Sequence, residues 1–241
     1  MIREINTDFN KMKEYIADYS IEDKATNKDF LSKFKTIHKH YYAIVVFGYE
    51  LKFLYNKNSD ILDERIKKYI LEIVSLSSSV VFGCIHGDYR SSLIVSRTIV
   101  EFSVRVLLAK NSVSAFNISN VYQLFDAVKE ENLYTNSKEI RTIVERLHSE
   151  YRKLCSYVHS DVGEMTQEIC SLAHFPGYDN NNFTITRRVT ISVLKDTISL
   201  LCLIYSKLFH RMHPKNRKII LSSIESKNRR IIMLGEIDKF A

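Results

Sequence analysis

Arg152 and His159 are the two residues of this chain whose types and spacing best fit a chemical reaction. They lie in the segment YRKLCSYVHS, seven positions apart, near the end of a strongly helical run. Seven residues at about 100° each make roughly two turns, so both side chains project from one helical face, about 10 Å apart along the axis. A guanidinium holds negative charge at any working pH, and an imidazole can exchange a proton near neutrality. The pair is the minimum equipment for cleaving a phosphodiester without a metal.

RNA is the substrate that this chemistry fits, because RNA supplies its own nucleophile, the 2′-hydroxyl. The protein must move that proton, stabilise the charge on the phosphorane and protonate the leaving 5′-oxygen. We expect His159 to transfer protons, since its ordinary pKa is near neutrality, and Arg152 to clamp the phosphate through its planar fork of donors. Ser156 and Tyr157 are lesser candidates for positioning the phosphate, and Tyr157 lies about 160° from His159 around a helix.

Other reaction classes have little support in the sequence. It contains no glycine-rich phosphate loop, no GxSxG elbow, no dinucleotide fingerprint and no HExxH pattern, so we expect no metal and no cofactor. An arginine and a histidine at this spacing are also common on ordinary surface helices. The alternative is therefore a non-enzymatic helical bundle that binds RNA or a partner protein, in which the pair merely bridges helices.

The helix predicted over 137–159 positions the pair. Its apolar residues recur every three or four positions and predict a continuous buried seam, formed by Ile140, Val144, Leu147, Tyr151, Leu154 and Val158. One position later, about 100° around the helix, lie Arg141, Glu145, His148, Arg152, Cys155 and His159. Arg152 and His159 are thus predicted to flank the seam, where a neighbouring helix or subunit could cover them.

An earlier helix, DYRSSLIVSRTIVEFSVRVLLAK, is apolar around most of its circumference and is predicted to be central. Its charges share one face: Arg90, Arg97, Glu101 and Arg105. Arg97 and Glu101 are spaced to pair at i,i+4, as a buried arginine usually requires. In the alternative, Arg97 or Arg105 reaches the same pocket as Arg152.

Six glycines and two prolines in 241 residues are few chain breakers, and they favour an all-α, single-domain helical bundle with long antiparallel helices over residues 1–241. We predict helices over about 7–19, from a cap at Asn27 or Asp29 to 56, from a cap at 58–60 to 83, from the cap Asp88 over 89–110, and over 119–131, 137–159 and 188–212. Residues 174–182 are predicted to be a loop, 183–186 a short extended piece, and the chain after Pro214 a basic pair of segments.

The formal charge of +7 points to an anionic partner. The excess is concentrated from residue 187 onward, where twelve Lys/Arg face four Asp/Glu. This basic segment could be a surface that binds RNA or simply a solvated basic face. Binding to a membrane surface is a third alternative. Cys84, Cys155, Cys170 and Cys202 lack metal-ligand spacing and read as reduced thiols. With a polar N-terminus and no apolar run of about 20 residues, we expect a cytoplasmic protein without membrane contact.

These motifs resemble the HEPN superfamily, the all-α nucleotide-binding domains of higher eukaryotes and prokaryotes. The segment from Arg152 to His159 is similar to the family's Arg, four to six residues, His pattern. The segment 86–110 is similar to its earlier helix with Arg-x-x-x-Glu, here Arg97 and Glu101. Residues 85–160 carry the resemblance, which extends to 85–212 as the core. An N-terminal layer, 1–80, and a basic C-terminal segment, 213–241, lie outside it.

The resemblance implies a metal-independent endoribonuclease that leaves a 2′,3′-cyclic phosphate and a 5′-hydroxyl. It also implies a homodimer with two Arg–His pairs in a composite cleft. Many relatives are toxins or abortive-infection effectors against phage, so an antitoxin or defence-system partner protein is implied as well. Lys153 stands where the family often has Asn, Asp or His, and Arg97 with Glu101 would support or line the site.

Overall fold

The computed structural model describes residues 14, 18–111, 113–158 and 174–235. The described residues contain eleven α-helices, two short 3₁₀ helices and no strand, which confirms the all-α helical bundle. The helices are α1 (Glu22–Thr26), α2 (Lys28–Lys57), α3 (Glu64–His86), α4 (Tyr89–Ala109), α5 (Val121–Lys129), α6 (Asn132–Asn136), α7 (Lys138–Val158), α8 (Asn180–Ile204), α9 (Ser206–Arg211), α10 (Pro214–Ser222) and α11 (Ser226–Leu234).

Helices α4 and α8 form the centre of the bundle. Helix α4 packs on α3, α7 and α8, while α2 packs on α3 and α8. Residues 196–204 of α8 are all buried, as expected for a helix that is covered on every side. Helices α2 and α7 both pack on α8 as well, and each leaves one face to solvent.

The predicted helix starts at Asn27 and Asp88 are confirmed. The Asn27 side chain accepts the Phe30 N–H at 2.9 Å and the Asp88 carboxylate accepts the Ser91 N–H at 3.1 Å, so each satisfies a backbone donor of the first turn. Gly87 precedes Asp88 with a φ of 79°, a left-handed conformation that glycine adopts without a Cβ penalty. The sharp turn between α3 and α4 depends on it.

Three predicted boundaries are wrong. Helix α3 is capped by Asp63, whose carboxylate accepts the Arg65 N–H at 2.7 Å, whereas residues 59–61 form a 3₁₀ turn. Residues 183–186 are helical, because Asp179 caps α8 at Asn180, eight residues before the predicted start at 188, and Phe183 enters the core. The helix predicted to reach 212 ends at Ile204, and α9 follows after Tyr205.

The basic C-terminal segment packs onto α2 and then reaches α7. The buried Glu50 carboxylate of α2 accepts the His213 N–H at 3.2 Å and the Asn216 amide at 2.5 Å, at the positive end of the α10 dipole. Directly after α10, the Ser223 hydroxyl donates to the Lys39 carbonyl at 3.0 Å. Glu225, which precedes α11, bonds Lys195 of α8 at 2.7 Å and lies 3.8 Å from Arg146 of α7.

Among the described residues one helix, α3, is long and apolar enough to cross a membrane by length and composition. A core helix of a soluble protein passes the same test, and α3 packs on α2 and α4 along its buried face.

His40 makes the fold sensitive to acid. Burial, together with the nearby Lys39 and Lys195, lowers the pKa of His40 to about 4. As the pH falls, His40 is protonated near pH 6.5 in the unfolded chain but only near pH 4 in the folded chain. The free energy of unfolding that is present above pH 6.5 is therefore lost as the pH falls toward 4. We expect His40 to account for about 3 kcal/mol of that loss.

Between pH 6.5 and 4, the free energy of unfolding should change less with pH in His40→Gln than in the wild type. Urea unfolding at several pH values measures it. His38→Gln is the matched control, because it makes the same substitution at an exposed position of the same helix. Equal slopes in all three proteins would contradict the assignment.

Candidate functional site

An open groove of about 490 Å³ runs along the solvent face of α7. Its lining comes from a single helix, at spacings of three and four residues, which place side chains on one face. These residues are Glu145, His148, Ser149, Arg152, Lys153 and Ser156. Three of the predicted site residues, Arg152, Lys153 and Ser156, are therefore brought together.

The face of α7 opposite the groove is buried in the bundle, and this burial fixes the direction in which the groove residues point. The predicted seam is buried from Ile140 to Leu154, but at the last turn Tyr157 takes the buried position and Val158 is 39% exposed. Helical phase gives the direction of a side chain, not where the neighbouring helices stop covering it. Tyr157, whose carbonyl accepts from Arg90 at 3.3 Å, therefore contributes to packing and does not line the groove.

Arg152 presents a solvent-exposed guanidinium to the groove. No described residue forms a hydrogen bond or ion pair with it; Glu101 in particular bonds Arg105 at 2.9 Å. The Arg152 side chain itself is left exposed by the described part of the bundle. An arginine in this state keeps its full set of donors for an external anion.

His148 is a groove residue that the sequence placed on the correct face without singling it out. Its ring stacks on Phe125 of α5 at 4.2 Å between centroids, with the planes 21° apart. Its Nε2 is buried and has no hydrogen-bond partner among the described residues. Burial first, and then Lys129 and Arg152, lower the pKa of His148. The imidazole is thus held neutral at physiological pH beside the Arg152 guanidinium.

The pKa of His148 should report the proximity of Arg152. Removing that cation in Arg152→Ala favours the imidazolium, so the pKa should rise toward the ordinary value. Phe125→Ala, which opens the ring to water, should raise it as well. Titration of the histidine ring signals by NMR checks both. A pKa that is unchanged in Arg152→Ala would show that the two side chains do not interact in solution.

The charges at the groove balance, because Glu145 and Glu150 offset Arg152 and Lys153. Lys153 bonds Glu150 at 3.1 Å, and Glu145 lines the groove beside Arg152. The Ser156 hydroxyl donates to the Lys153 carbonyl at 2.7 Å, which leaves its lone pairs as acceptors. Arg152 is therefore the groove cation best placed to attract a phosphate.

Arg97 and Glu101 lie at the junction of α4 with α7 and do not line the groove. The expected pair between them is not formed, because Glu101 bonds Arg105, which is also one turn away. Arg97 instead donates to the Tyr151 hydroxyl at 2.5 Å and lies 4.7 Å over the centre of its ring. Burial raises the pKa of Tyr151 to about 12, so this contact joins a cation to a neutral phenol.

His159 lies outside the described residues, as does Cys170. The meeting of Arg152 with His159 therefore stays a prediction. Cys84, Cys155 and Cys202 are free thiols, and burial raises the pKa of Cys84 to about 12. Over the ranges that the structure describes, no group of three or more His, Cys, Asp or Glu side chains is arranged to hold a metal ion.

Comparison of the whole chain with protein-family models, with curated proteins and with solved structures found no match to any of them.

Proposed function

We propose that the protein is a metal-independent endoribonuclease of HEPN type. The observation that carries the proposal is the exposed Arg152 guanidinium, without a partner among the described residues, in a groove that also holds the His148 imidazole. Phosphodiester cleavage by the 2′-hydroxyl requires a cation that stabilises the phosphorane and a group that transfers protons. A guanidinium and an imidazole can fill these two roles. The HEPN-like motif from Arg152 to His159 supplies His159 as a second histidine for proton transfer, beside His148.

In the proposed reaction, Arg152 donates to the non-bridging oxygens of the scissile phosphate. A neutral histidine removes the 2′-hydroxyl proton while that oxygen attacks phosphorus. A protonated one then gives a proton to the leaving 5′-oxygen, so the products are a 2′,3′-cyclic phosphate and a 5′-hydroxyl. We assign one of these transfers to His159. His148, held neutral one turn before Arg152, is the candidate for the base.

A homodimer would complete this site in the proposed scheme. The groove that carries Arg152 is open to solvent, and a second copy docked on it would bring a second Arg–His pair into one cleft. Light scattering of the purified protein tests this arrangement. We further propose that the protein acts in the cytoplasm as a toxin or anti-phage abortive-infection effector, controlled by an antitoxin or another defence-system protein.

Cleavage of RNA by the purified protein in EDTA tests the activity directly. Single-stranded RNA should be cut, and the fragments should carry a cyclic phosphate that acid opens to a 2′- or 3′-phosphate. RNA that stays intact across a range of sequences would overturn the proposal. Loss of cleavage on chelation would replace it with a metal-dependent mechanism.

The alternative is an inactive HEPN-like module that binds RNA or a partner protein. It is favoured by the near balance of charge in the groove, where Glu145 and Glu150 offset Arg152 and Lys153. Induced expression in bacteria separates the two readings. Growth arrest that disappears in His159→Ala supports the enzyme, and equal growth of both strains supports the binding module.

A further inference from the structure

An aromatic stripe covers the solvent face of α2, away from the groove. Its members recur at helical spacing and are all exposed: Leu31, His38, Tyr42, Tyr49 and Phe53. Tyr49 is 70% exposed, and the His38 ring is stacked on Tyr42 with the planes 8° apart. Three large rings in a row on a helix surface are unusual for a face that meets only water.

Cations lie on both sides of this stripe. On α2 itself Lys35, Lys39 and Lys52 are exposed. On α10, which packs against α2 through Glu50 and the Lys39 carbonyl, Lys215 and Lys218 are exposed three residues apart. Neither of these two lysines forms an ion pair with a described residue, so their charge is available to a partner.

The basic surface continues toward α7. The described residues from α9 to the end of α11 expose seven cations, Lys207, Arg211, Lys215, Lys218, Lys227, Arg229 and Arg230. Their single acid, Glu225, is already bonded to Lys195 and close to Arg146. Because Arg146 directly follows Glu145 of the groove lining, the C-terminal helices connect the flank that carries the stripe with the helix that carries the groove.

We propose that the aromatic stripe of α2 and the exposed lysines of α10 form a docking surface for single-stranded RNA. Exposed tyrosines offer faces on which unpaired bases stack, and lysines beside them neutralise the phosphates. Base stacking is tolerant of sequence, so the surface holds the strand without reading it. The assignment rests on the proposed function for the choice of RNA and extends it by naming where the substrate is held.

Binding of a fluorescent 2′-O-methyl oligonucleotide tests the surface separately from cleavage, because the blocked 2′-oxygen cannot attack. Tyr42→Ala/Tyr49→Ala should weaken binding about tenfold or more, with the same salt dependence. Lys215→Gln/Lys218→Gln should weaken it by a similar factor at low salt and reduce the slope of log K against log salt by about 1.4. An oligonucleotide duplex, whose bases are already stacked, should be insensitive to the tyrosine substitutions.

Arg65→Gln/Lys68→Gln is the matched control, because it removes the same two charges from cations already paired with Asp63 and Glu64. Its affinity should stay within about twofold of the wild type. Wild-type binding by both test variants would overturn the proposal, as would wild-type protein that binds phosphatidylserine vesicles but not the oligonucleotide. A wild-type protein that binds the oligonucleotide without cleaving natural RNA would refute the proposed activity and leave the surface standing.

Discussion

Arg152→Ala should cleave RNA in EDTA about 100- to 1,000-fold more slowly than the wild type. That is the usual cost of removing a donor aimed at charge that develops in the transition state. Arg152→Lys should recover part of the loss, because an ammonium keeps the charge but not the two-pronged geometry. His159→Ala should lose about 100-fold or more through the missing proton transfer. Single-turnover rates on one fluorescent RNA measure all three.

Stability separates a catalytic defect from a folding defect. Arg152 is exposed and bonds no described residue, so its removal should shift the unfolding free energy by less than about 0.5 kcal/mol. Arg141→Ala is the matched control: this arginine is exposed on the same helix and bonds the Thr135 carbonyl at 2.8 Å. If Arg152→Ala and Arg141→Ala both cleave at the wild-type rate, the groove is not the site of cleavage.

Arg146→Met should destabilise the protein by about 3–5 kcal/mol, a large share of a domain's stability. Arg146 holds the Asp196 carboxylate through two bonds, at 2.8 and 2.5 Å, and the Asp196 side chain is only 1% exposed. Without the guanidinium, a buried negative charge loses its main partner. Urea unfolding measures the loss.

Replacing both partners should reverse most of that effect. Arg146→Met/Asp196→Leu removes both charges of the pair, so no unpaired carboxylate is buried. Replacing a buried ion pair with apolar side chains often leaves the free energy of unfolding unchanged. Lys68→Met, which breaks the exposed pair with Glu64, should cost less than about 1 kcal/mol. A double variant as unstable as Arg146→Met alone would mean that packing, and not the unpaired charge, causes the loss.

Local signals predicted most of the helices but not all of their ends. Asn27 and Asp88 are capping residues beside an apolar periodic run, and the structure uses both. At the start of α3 several capping residues compete within six positions, and Asp63 is used in place of residues 58–60. The helical start of α8 depends on burial of Phe183 against Phe30 of α2, a contact that no local pattern contains.

For the groove, the sequence determined the helical phase that places Arg152 beside the buried seam, because periodicity along one helix is a local property. It also determined the all-α fold and the basic C-terminal excess. Only the tertiary structure decided that Glu101 pairs with Arg105 and that Phe125 stacks on His148. It also decided that the described bundle leaves Arg152 uncovered. Each of these depends on residues that other helices or other turns bring into contact, and the choice among equally spaced partners is made by packing.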